Sequence, residues 1–190
     1  MISIRENYQN NVIPYFTKEL GYKNRHAIPR LLKATINTGI GSSLKQESNA
    51  KELMGIFDQD MAAMSGQKPV HTKAKTSVAG FGTRKGQVLG LKVTLRGKRM
   101  FDFLERFVNL VLPRIRDFAG IPLQSIDEHG NLTVGIKEHT VFPEIGTGKQ
   151  AQKVKKIFGL QVTLTSNAKS KQEGITLYQT LGFPLEHKEE

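Results

Sequence analysis

The sequence contains no cysteine. That excludes disulfides, thiolate metal sites and a cysteine nucleophile together. It also lacks any apolar run near the roughly 20 residues that a membrane span requires. Its first residues, MISIRENYQNN, carry Glu6 and polar amides where an export signal needs a basic and then an apolar stretch. The expectation is a soluble, cytoplasmic protein with no transit peptide. At 190 residues the chain can bury roughly 70% of the surface exposed by its unfolded form, so it needs no covalent or metal staple.

The most informative scarcity is of acid. From Met61 to Phe101 there is no Asp or Glu, while nine Lys and Arg residues fall in that stretch. They account for +9 of the net +11, which leaves the rest of the chain near balance. Two further acid-free stretches occur. Leu20 to Gln46 carries Lys23, Arg25, Arg30, Lys33 and Lys45, and Ile145 to Gln172 carries Lys149, Lys153, Lys155, Lys156, Lys169 and Lys171. Like charges held together on a folded surface repel, so such clustering points to a polyanionic partner.

Four helices are expected. The first begins at a Ser3/Glu6 capping pair, with Ile4, Tyr8, Val12, Tyr15 and Phe16 at helical spacing and Gly21 beyond its end. Pro14 predicts a kink or an early break. The second runs from about Ser48 to Ser65, with Leu53, Met54, Phe57, Met61 and Met64 inward and Gly66 as its stop. The third runs from about Lys98 to Leu112, burying Met100, Phe103, Leu104, Phe107 and Val111, and Pro113 ends it. The fourth starts from a Ser170/Glu173 capping pair, buries Ile175, Leu177, Tyr178 and Leu181, and ends at Gly182.

Three segments alternate with the period of a strand. Leu32, Ala34, Ile36, Thr38 and Ile40 share one face, opposite Lys33, Thr35 and Asn37. Leu89, Leu91, Val93 and Leu95 lie opposite Lys92, Thr94 and Arg96. Leu160, Val162 and Leu164 lie opposite Gln161, Thr163 and Thr165. A weaker hairpin signal at Ser125 to Val134 has Gly130-Asn131 in or beside its turn.

One apolar face per strand, interleaved with helices, predicts an α+β fold. Helices cover one face of a mostly antiparallel sheet and the other face stays open. That open face contains Lys, Thr, Asn, Gln and Arg but no acid and no aromatic ring. Readers of single strands stack bases on aromatic rings. The expected target is therefore folded RNA, read through backbone and shape. A single RNA-binding domain over residues 1–190 is expected, with a flexible basic loop or hairpin at about 66–87. That loop holds Lys68, Lys73, Lys75, Arg84 and Lys85 among four glycines.

Enzyme motifs fail. Gly146-Thr147-Gly148-Lys149 lacks the remaining residues of a phosphate loop, since Pro143 and Gln150 stand where Gly and Ser or Thr are needed. Gly80, Gly82 and Gly86 miss the dinucleotide spacing. The five histidines have no acidic partner at ligand spacing. Asp58 and Asp60 read as a solvated helix surface, and no carboxylate near His71 in sequence marks it as a base. No catalytic residue, cofactor or metal is expected. A membrane-surface role is disfavoured because the basic excess falls on strands and a loop, not on an amphipathic helix.

Five segments in order resemble a known family. They are IPRLLKATINTGIG (28–41), MSGQKPVHTKAKTSVAGF (64–81), LKVTLRGKRMFDFLERF (91–107), PRIRDFAGI (113–121) and VFPEI (141–145). Together they resemble the bacterial-type large-subunit ribosomal protein that binds 5S rRNA, number five of its series. The resemblance implies a place in the ribosome's central protuberance, with partners 5S rRNA, large-subunit rRNA, P-site tRNA, small-subunit protein thirteen and neighbouring large-subunit proteins. It matches Asn37, Gln67 and Thr94 to the 5S contact, beside the strand-face residues Lys33, Thr35, Lys92 and Arg96. It matches Lys73, Lys75, Ser77 and Arg84 to the tRNA-contacting loop. The chain departs from the family pattern in having Gly82 and Thr83 where Lys and Ile usually precede Arg, so Lys85 stands in as a substitute cation. The run from Gly146 to Gln150 also departs from the usual acidic continuation.

Overall fold

The structure, a computed structural model, describes residues 3–46, 49–146 and 156–186. Its five strands are β1 (Leu31–Gly39), β2 (Val70–Lys73), β3 (Val88–Leu95), β4 (Leu132–Ile136) and β5 (Leu160–Ser166). They form one antiparallel sheet in the order β2-β3-β1-β5-β4, and with the helices they make an α+β fold. The chain clusters into two compact units. One comprises residues 1–34, 96–134 and 163–190; the other comprises 35–95 and 135–162.

In the first unit, α1 (Ile4–Asn7) continues through a π-helical turn (Tyr8–Val12) into α2 (Ile13–Lys18). Ser3 accepts a hydrogen bond from the Glu6 N–H at 3.4 Å, as the capping pair predicts. Pro14 does not end the helix, which continues to Lys18. The turn ahead of it widens, so that the Ile13 N–H donates to the Tyr8 carbonyl five residues back. A wider turn accommodates a residue that has no N–H to give. α5 (Gly97–Arg106) runs into a second π-turn (Phe107–Val111), and a short 3-10 turn at Leu112–Arg114 contains Pro113. α7 (Lys171–Leu181) ends on Gly182 in the left-handed region. Ile4, Val12, Phe16, Met100, Phe103, Leu104, Phe107, Val111, Leu177, Tyr178 and Leu181 are all buried, whereas Ile175 is half-buried. Leu31, not Leu32, is buried at the start of β1. Leu32 is 38% exposed because it borders a depression that Arg5 and Gln9 line without closing.

In the second unit, α4 (Ala50–Ser65) packs on β3 through Leu53, Phe57, Met61 and Met64, with Gly66 at its left-handed cap. Residues 47–48, where its N-terminus was expected to begin, lie outside the described residues. Ahead of it, α3 (Gly41–Gln46) was not foreseen: six residues are too few for a periodic signal. α6 (Pro143–Gly146) also packs against α4. Ile36, Leu91, Val93, Leu95, Leu160 and Val162 are buried, as the strand pattern predicts. Thr38 is buried with them, its hydroxyl donating to the Gly159 carbonyl at 2.6 Å. Among the described residues no helix is long and apolar enough to cross a membrane.

Two expectations fail on α4. Asp60 is only 7% exposed, and its carboxylate faces the buried His139 at 3.5 Å. Asp58 places both carboxylate oxygens 2.9 Å from His71 Nε2. Both histidines therefore have an acidic neighbour, 13 residues away in sequence for His71 and much farther for His139. Spacing along the chain could not reveal either pair. The Asp58–His71 pair ties β2 to α4, whereas Asp60 and His139 face each other without a hydrogen bond between Oδ2 and Nε2.

Candidate nucleic-acid interface

The site is built from alternation on β1, β3 and β5, which are neighbours in the sheet. Within the second unit the residues opposite the core are accessible. Asn37, Lys92 and Gln161 are exposed, while Thr35 and Thr94 are half-buried. Asn37, Lys137 and Gln161 line one shallow depression of about 500 Å³, bordered by Gly39, Gly135 and Gly159. A Cβ placed on Gly39 or Gly135 would meet no atom within 4 Å, so these glycines leave backbone uncovered for a ligand to approach.

Gln67 enters by a different route. It follows the left-handed cap of α4, where Ser65 Oγ accepts from its N–H at 3.2 Å. Its side-chain amide donates to the Thr94 carbonyl at 3.4 Å. Gln67 and Thr94, 27 residues apart, are thereby neighbours. Lys33 is half-buried and Arg96 is exposed; both belong to the first unit.

The basic segment 66–87 is a hairpin. β2 pairs antiparallel with β3, from Val70 opposite Lys92 to Lys73 opposite Val88, with an irregularity at Thr72/Lys73. Beyond it Ala74 and Gln87 pair through backbone, Val78 pairs with Thr83, and Gly82 takes a positive φ in the tip. Ser77 Oγ accepts from the Lys85 N–H at 3.0 Å, and the Gln87 side chain accepts from the Arg84 N–H at 3.0 Å. Lys45 on α3 donates to the Phe81 carbonyl. Lys73, Lys75, Arg84 and Lys85 all face solvent. Ser77 therefore serves the hairpin's own backbone.

Phe81 is a candidate that periodicity and charge did not single out. It stands 80% exposed at the hairpin tip, with Val78 also exposed beside it. An aromatic ring so fully in water is available to stack on a base, and the cations of the same hairpin are available to neutralise phosphate. Its sequence signal was available: Phe81 lies between glycines, outside any apolar periodicity. Of the third acid-free stretch, Lys149, Lys153 and Lys155 lie outside the described residues, as do Thr147 to Gln150 of the run that departs from the family pattern.

Comparison with known proteins gives a consistent result. A family model described as ribosomal protein L5 matches residues 24–84, and a companion model for the C-terminus of the same ribosomal protein family matches residues 88–185. A large ribosomal subunit protein uL5 from Carboxydothermus hydrogenoformans is 44% identical over 97% of this chain and 99% of its own length. Proteins of the same name from Prochlorococcus marinus strain AS9601 and Solibacter usitatus are 44% and 45% identical, covering 97% and 96% of this chain and 98% and 97% of theirs. The two models divide the chain at residues 84–88, the return of the basic hairpin into β3, and leave no element of the sheet unmatched. The chain belongs to the ribosomal protein L5 family, whose members are structural parts of the ribosome and not enzymes.

Proposed function

We propose that the protein is a constituent of the large ribosomal subunit that binds 5S rRNA through the open side of its sheet. In this reading the basic hairpin reaches the elbow of P-site tRNA. The protein works in the cytoplasm, within the ribosome. It also meets small-subunit protein thirteen and the neighbouring proteins of the central protuberance. The observation that carries the 5S reading is the accessible, acid-free face formed by Thr35, Asn37, Lys92 and Thr94, with Gln67 hydrogen-bonded onto it. Lys92 neutralises phosphate, and the amides and hydroxyls suit 2′-hydroxyls and base edges in a shallow groove. Lys33 and Arg96 are assigned to the same RNA by the strand pattern. For tRNA the supporting observation is the exposed Phe81 with Lys73, Lys75, Arg84 and Lys85 on its hairpin.

Filter binding of the purified protein to 5S rRNA tests this. Thr94→Ala and Asn37→Ala each weaken 5S binding by about tenfold, the loss expected when a polar partner is left unpaired. Phe81→Ala leaves 5S binding intact and reduces P-site tRNA protection in assembled ribosomes. The salt slope corresponds to roughly five to eight phosphates. Equal affinity for an unstructured strand of the same length would overturn the shape-reading claim.

A further inference from the structure

Away from the sheet face and the hairpin, the first unit carries two adjoining cavities of about 380 Å³ each. They share Tyr8, Gln9 and Arg30. One is cationic, with Arg25 and His26. The other is floored by apolar side chains, Leu31, Leu32 and Phe101, with Arg5 at its rim. Among the described residues, no carboxylate lines either one. Among the described residues, the guanidinium groups of Arg5, Arg25 and Arg30 have no hydrogen-bond or ion-pair partner. Their neighbour Tyr8 is half-buried; burial raises the pKa of its phenol, against the opposing pull of the Arg30 and Arg25 charges.

The backbone that bears Arg25 and Arg30 is fixed before any ligand arrives. Asn24 Oδ1 accepts from the His26 N–H at 2.9 Å and caps the 3-10 turn Arg25–Ala27. Asn167 Oδ1 accepts from the Arg30 N–H at 2.6 Å, and the Asn167 N–H returns a bond to the Arg30 carbonyl at 3.2 Å. Two asparagine side chains, one local and one from a distant part of the chain, thus hold the segment from which these two unpaired charges project. Unpaired cations carried on a fixed backbone beside an apolar recess match a ligand with a phosphate at one end and a flat, weakly polar body at the other.

We propose that these joined cavities bind one extruded nucleotide of ribosomal RNA, with its phosphate between Arg25 and Arg30 and its base over Leu32 and Phe101. Gln9 and the Tyr8 hydroxyl, on the shared border, meet the sugar. The site takes its partner class from the ribosomal family and is independent of the 5S and tRNA assignments.

The absence of cysteine makes the test direct. Asn10, exposed beside Gln9 but outside both cavities, becomes a unique thiol as Asn10→Cys. An iron chelate tethered there, in large subunits assembled with the full-length protein, is expected to cut ribosomal RNA at one short stretch. Absence of cuts above background overturns the proposal. In subunits carrying Arg25→Ala with Arg30→Ala, a base in that stretch is expected to gain about tenfold in chemical reactivity, the effect of losing a charge-assisted contact. An unchanged pattern overturns the assignment. The paired Arg→Lys variant, which keeps charge, is expected to restore partial protection. Titration of the purified protein with adenosine 5′-monophosphate and with inorganic phosphate separates the sources. The nucleotide is expected to bind more tightly than phosphate, with resonances of Tyr8 and His26 moving. Equal binding of the two would leave the apolar cavity without a role and overturn the nucleotide reading. Retained 5S binding by the double Arg→Ala variant shows that a loss at this site is not a loss of the sheet-face site.

Discussion

Asp127 organises the turn before β4 almost alone. Its Oδ1 accepts from the His129 and Asn131 N–H groups at 2.9 and 2.8 Å, and its Oδ2 accepts from the Asn131 amide at 2.8 Å. The Asn131 side-chain oxygen then accepts from the Ser166 N–H at 3.2 Å. Burial by itself would raise the Asp127 pKa, but these hydrogen bonds to the carboxylate outweigh it and hold the pKa below the ordinary value. The stabilisation is present above the ordinary carboxylate range and is lost as pH falls through the depressed value. Asp127→Ala is expected to cost about 1–2 kcal/mol at neutral pH and less at acid pH, read by urea denaturation. Tyr22 behaves in the opposite sense. Burial, then its 2.7 Å hydrogen bond to Glu173 and that group's charge, push its phenol up to about 12. A raised value means that the stabilisation is complete below the unfolded phenol's range near 10 and fades as pH rises towards 12. The stability difference between wild type and Tyr22→Phe should therefore shrink over that interval; a constant difference would show the bond to be inert. Neither residue announced itself in sequence beyond Gly130-Asn131 marking a turn, because hydrogen-bond partners such as Ser166 and Glu173 are set by the fold.

At the scale of elements, close backbone contacts decide where glycine is needed. Gly174 on α7 lies against the turn at Gly130: a Cβ added to Gly174 would sit 2.5 Å from the Gly130 Cα, and one added to Gly130 would sit 2.7 Å from the Ala168 Cβ. Tyr178, also on α7, donates to the Gly130 carbonyl at 3.2 Å, which holds the same approach. Gly174→Ala is expected to destabilise by about 1–3 kcal/mol despite improving helix propensity, since backbone must move. A thermal midpoint that rises instead would mean that propensity wins. Gly90 on β3 is under the same constraint, because a Cβ there would collide with the Thr38 carbonyl of β1. The three strongest strands and the four long helices were legible because one face of each is buried and its apolar residues repeat at about 2 or 3.6 residues. β2 was not legible as a strand. At four residues on the sheet edge, with Val70 exposed, it has no buried face to impose alternation. Of the kink or early break that Pro14 predicts, the break does not occur, because the rule concerns α-helical bonding and a π-turn precedes the proline.

Across the whole molecule, positive charge is distributed over several surfaces. The sheet face, the hairpin and the Arg25–Arg30 turn each present exposed cations, and each has its own backbone support. Removing one set should therefore lower RNA affinity in part and leave the rest. Lys92→Ala is expected to reduce the slope of log affinity against log salt for 5S rRNA by roughly 0.7 to 0.9, the share of one phosphate. Arg84→Ala should leave that slope unchanged; an equal change from both would merge the sheet face and hairpin into one site. The amino-acid sequence by itself determined the α+β class, the polar side of β1, β3 and β5 and the acid-free segments. Alternation and charge are local properties, written residue by residue. The tertiary structure alone decided which distant groups meet: Gln67 with Thr94, Asp58 with His71, Asp60 with His139, and Asn167 with Arg30. It also decided that Phe81 stands in solvent on the hairpin whose backbone Lys45 holds. Those pairings depend on how elements pack, and packing joins residues whose separation along the chain carries no trace of their contact.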